Sequence, residues 1–115
     1  MELEQEKIIL LAENLLGFVT FVQNSYIHNT YMSDKEQLYR LKNLVDEYKL
    51  QLLAEELIRI NRFSWEKEET EPLVERVNKG VNSINEYIKN NLDGLFIFSA
   101  RVYTLKSNCE MFSRI

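Results

Sequence analysis

His28 is the single histidine and Cys109 the single cysteine of this 115-residue chain, and that scarcity decides most of the chemistry. A cysteine nucleophile needs a positioned base, and nothing in the sequence brings His28 to Cys109. A lone cysteine near a helical C-terminus is expected to act as a small apolar residue. A di-iron bundle needs paired Glu-x-x-His motifs and a zinc protease needs His-Glu-x-x-His, so one histidine satisfies neither. His28 and Cys109 together are too few for a structural zinc site. Gly17, Gly80 and Gly94 stand too far apart to form a phosphate-cradling loop. No Arg precedes His28, which sets aside the helical ribonucleases that use an Arg followed shortly by His. Glu68 and Glu71 have the i, i+3 spacing of a Mg²⁺-binding pair, but Pro72 places a helix boundary there and no second acidic pair answers them. A solvated acidic loop is the better account. The expectation is a protein without catalytic residues, metal or cofactor.

Surface recognition remains. The segment from Asn24 to Met32 carries Tyr26, His28 and Tyr31 among amides and hydroxyls, and Trp65 sits in Phe63-Ser64-Trp65. Tyr and Trp combine rigid apolar area with a polar tip, so Tyr26, His28, Tyr31 and Trp65 are the candidate partner-binding residues. The competing account makes the same aromatics plugs that close the ends of a core. Tyr48 falls on a core stripe. Tyr39 and Tyr87 lie off the stripes and are expected to be exposed or to line a second interface.

The elements that must position these residues are helices. Ile8, Leu11, Leu15, Phe18 and Val22 recur at helical spacing, as do Leu38, Leu41, Val45, Tyr48 and Leu52, and Val74, Val77, Val81, Ile84 and Ile88. The first helix is predicted over about 2–27, interrupted by Gly17. Ser33 and Glu36 form a capping box that opens the second helix, which continues to Ile60 or Arg62. There Leu50, Leu53, Leu57 and Ile60 extend the apolar pattern onto an adjoining face, as in a central helix with contacts on more than one side. Thr70-Glu71-Pro72 reads as the start of a third helix over 71–90, since Pro is tolerated in a first turn. Its β-branched stripe is intrinsically poor for a helix and must be compensated by burial.

After the turn-like Asn90-Asn91-Leu92-Asp93-Gly94, a fourth helix is expected with Leu95, Phe96, Ser99, Val102, Tyr103 and Lys106 on one face. The pairs Glu36/Arg40, Lys42/Asp46, Glu55/Arg59 and Glu75/Lys79 sit one helical turn apart and add a few tenths of a kcal/mol each. The fold class is therefore all-α: a single-domain antiparallel bundle of about four helices over 1–115.

With 45% hydrophobic and 28% charged residues and little Gly or Pro, the composition is that of a folded domain. The acidic start lacks the basic character of a signal peptide, and the apolar runs are broken by Glu13 and Asn14 short of a membrane span, so a soluble cytoplasmic protein is expected. A net charge of −4 with scattered bases speaks against nucleic-acid binding. The functional expectation is a non-catalytic interaction module of the inhibitor, immunity-protein, antitoxin or adaptor kind, binding a protein partner. Bacteriocin-immunity-like bundles and phage-encoded inhibitors share this gross pattern, bacterial or phage in source, but no motif here singles out either. The alternative is a self-associating subunit of a helical homo-oligomer with a ligand pocket between helices.

Overall fold

A helix with one apolar stripe gains most of its stability by burying that stripe, so the predicted stripes dictate how the rods assemble. A computed structural model describes residues 3–28, 34–63 and 66–113. Within them run α1 (Leu3–His28), α2 (Lys35–Glu47), α3 (Leu50–Phe63), α4 (Lys67–Asn90), the single turn α5 (Leu92–Leu95), a 3₁₀ turn (Phe96–Phe98) and α6 (Ser99–Ser113). Among the described residues there is no strand, and the fold is the all-α antiparallel bundle. Its four arms are α1, the bent pair α2–α3, α4 and α6. The α1 arm packs along α3, α2 and α6, while α4 packs against α6, α3 and α2. Direction follows from single contacts. Gln5 Nε2 donates to the Asn61 carbonyl at 2.7 Å and Gln23 meets Gln51 near the other end, so α1 and α3 are antiparallel.

The first and third stripes are buried throughout, from Ile8 to Val22 and from Val74 to Ile88. The second departs from expectation. Leu38, Leu41 and Val45 are buried, but Leu52 is exposed while Leu50, Leu53, Ala54 and Leu57 fill the core. The chain bends between α2 and α3, where Lys49 takes φ = 53° and its N–H donates to Asp46. What reads as one helix with two apolar faces is two helices whose phases differ across an elbow.

Two helix starts are also corrected. The side-chain cap of α2 is Asp34, whose Oδ1 accepts from the Gln37 N–H at 3.0 Å, and Glu36 pairs with Arg40 instead of reaching back. Ser33 lies outside the described residues. The α4 helix begins a turn before Pro72, because buried Thr70 donates both its N–H and its hydroxyl to the Glu66 carbonyl, at 3.1 and 2.9 Å. Exposed Pro72 thus sits inside the helix.

The last arm shifts phase. The 3₁₀ turn buries Phe98 and leaves Phe96 outside, so the core face of α6 is Val102, Leu105, Asn108 and Cys109, with Tyr103 exposed. Of the expected ion pairs, Glu36–Arg40 and Lys42–Asp46 form at 3.0 Å, whereas Arg59 pairs with Glu56 and Glu55 accepts from Gln51. Among the described residues, Glu75 and Lys79 make no ion pair within 4 Å. Finally, Glu4–His28 is long and apolar enough to cross a membrane by length and composition alone, and 44% of an apolar 18-residue window within it is buried inside the fold. The expectation that the apolar runs fall short of a span does not hold.

Candidate functional site

The last turn of α1 and the first turns of α2 face each other across a cleft of about 740 Å³, lined by Tyr26, Ile27, His28, Lys35, Glu36 and Tyr39. The antiparallel return of the chain puts these two helix ends together. Tyr26 is half-buried, packing against the core, while Ile27 and His28 after it are exposed. Ile27 is 69% exposed and Tyr39 is 49% exposed. The rings of Tyr26 and Tyr39 stand 5.8 Å apart and tilted by 42°, within the range of favourable aromatic pairs. Lys42 Nζ lies 5.6 Å from the centroid of the Tyr26 ring, a cation–π contact.

Lys42 also donates to Asp46 at 3.0 Å, and this hydrogen bond, reinforced by the carboxylate charge, raises the ammonium pKa above its ordinary value. The Tyr26–Tyr39 pair therefore joins the two helices at the cleft, with the tethered Lys42 against the Tyr26 ring, and Ile27 and exposed His28 line the cleft beside it. The chemistry on offer is apolar contact within a rim of opposite charges, Lys35 and Glu36.

Two of the predicted site residues, Tyr26 and His28, come together here. Tyr31 and Trp65 lie outside the described residues. Tyr26 packs against the core and also lines the cleft. Ile27 and Tyr39, which the sequence reading did not name as site residues, are exposed here, whereas Tyr26 is half-buried. Their signal in the sequence was position alone: each is large, apolar and out of phase with its helix's core stripe.

Cys109 sits on the core face of α6, where burial, with a smaller contribution from Glu110, pushes its thiol pKa up to about 12. At the start of α6, Phe98 and Arg101 lie against the Phe21 ring of α1. Among the described residues, no three His, Cys, Asp or Glu side chains gather where they could hold a metal ion. Comparison with protein-family models, curated proteins and solved structures gives no significant match to this chain.

Proposed function

We propose that this chain is a non-catalytic protein–protein interaction module, an inhibitor, immunity protein, antitoxin or adaptor of the cytoplasm, that occupies a partner surface through the α1/α2 cleft. The observation that carries this reading is Ile27 and Tyr39 standing exposed across a cleft whose wall is already ordered by Tyr26 and Lys42. Rigid aromatics that need little further ordering are the side chains that bind at least entropic cost. A partner supplies an apolar side chain to the cleft, and Lys35 and Glu36 form the polar rim.

The test is capture of the partner from the native host by wild type and by the Ile27→Asp/Tyr39→Ala double variant. Both positions are exposed, so the variant should keep its helical circular dichroism spectrum. It should lose at least about 2 kcal/mol of binding, roughly thirtyfold in affinity. Equal capture by a folded double variant would overturn the assignment.

A second reading is favoured by Leu92, Phe96 and Tyr103, exposed on α5, the 3₁₀ turn and α6. Exposed apolar groups can form an association surface, and a homo-oligomer would cover them. Sedimentation velocity over a concentration series decides this, and a monomer at every concentration rejects it.

A further inference from the structure

The elbow between α2 and α3 opens on a separate cavity of about 260 Å³, lined by Glu47, Tyr48, Lys49, Arg76 and Lys79. Lys49 is the elbow residue itself, and Arg76 and Lys79 stand one turn apart on α4. Acidic residues outnumber basic ones in the chain, 18 to 14, yet these three cations make no ion pair within 4 Å among the described residues. Among the described residues Glu47 is the only acid on the cavity wall, which leaves positive charge in excess there. A concave wall of low dielectric concentrates that charge's field on whatever enters.

We propose that this cavity binds a phosphate group, free or carried by a small molecule. The residue types suit that ligand. The guanidinium of Arg76 offers a planar fork to two oxyanion oxygens, and the ammonium groups of Lys49 and Lys79 act as compact point charges beside it. Its volume is below that of a typical drug-sized site, so it admits the phosphate and a small body. A polyanion would need a continuous basic track, and Glu47 and the net charge of −4 oppose one.

Binding of inorganic phosphate and of glucose 6-phosphate to the full chain is measured by calorimetry at low ionic strength, with chloride at matched ionic strength as reference. Phosphate should bind where chloride does not. Arg76→Gln/Lys79→Gln should weaken it at least about tenfold, since each lost charge-assisted hydrogen bond is worth about that much. Arg62→Gln/Lys89→Gln, which removes the same charge from exposed positions outside the cavity, should not. Circular dichroism verifies that both double variants are folded. Tighter binding of the sugar phosphate assigns the cavity to an organic phosphate, and equal binding assigns it to the free anion. Phosphate binding no better than chloride, or equal losses in the two double variants, overturns the proposal.

Discussion

Gly80 lies so close to Tyr48 that a Cβ built on it would stand 2.9 Å from the Tyr48 Cβ, and 2.9 Å from Leu50 Cδ2. The buried glycine of α4 is therefore the seat on which the α2–α3 elbow rests. One turn further, Tyr48 and Ser83 join their hydroxyls at 2.7 Å and fix the register of α4 against the elbow.

Gly80→Ala should lower the melting temperature. The better helix propensity of Ala contributes about 1 kcal/mol, but overpacking a filled contact costs about 1–3 kcal/mol. Tyr48 Cβ is held by backbone and cannot swing aside. A thermal melt followed by circular dichroism should show a fall of a few degrees.

Gly17→Ala should do the opposite. Gly17 is exposed in the middle of α1, and a Cβ there would meet nothing within 4 Å. Only the propensity gain remains, about 1 kcal/mol, and the same melt should rise by a few degrees. Close packing, the one reason the sequence offered for keeping a glycine there, is absent in the monomer.

Lys49→Gly should stabilise the fold while removing a cation from the phosphate cavity. Holding a non-glycine residue at φ = 53° costs about 1–2 kcal/mol, partly offset by the greater chain entropy of glycine when unfolded. Denaturant titration should give a higher midpoint, and phosphate calorimetry a weaker affinity.

Cys109 should be inert to iodoacetamide in the folded protein near neutral pH and react once the chain is unfolded. Its pKa is raised from 9.0 to about 12, chiefly by burial, so above pH 9 the folded state holds a proton that the unfolded state has released. Its contribution to stability is fully present below pH 9 and is lost as the pH rises toward 12. Cys109→Ala should flatten that alkaline loss in denaturant titrations.

The first and third stripes were legible because helical periodicity is local: Leu11 and Leu15, or Val77 and Val81, share a face whatever the rest of the chain does. Ile27 and Tyr39 were visible as large residues off their stripes. Their meeting across one cleft was not, because that depends on how α2 leaves the end of α1. Lys49, Arg76 and Lys79 carried no spacing motif, and the elbow alone gathers two of them with the third.

By itself the sequence determined that the chain is helical and where the stripes of α1 and α4 lie. The tertiary structure decided the phase of everything after a break. At the elbow, the space left by Gly80 let Tyr48 and Leu50 pack inward and turned Leu52 out. At the last arm, a 3₁₀ turn advanced the helix so that Phe98 was buried and Phe96 exposed. Both choices are made by contacts between residues distant in sequence, which periodicity within one helix does not record.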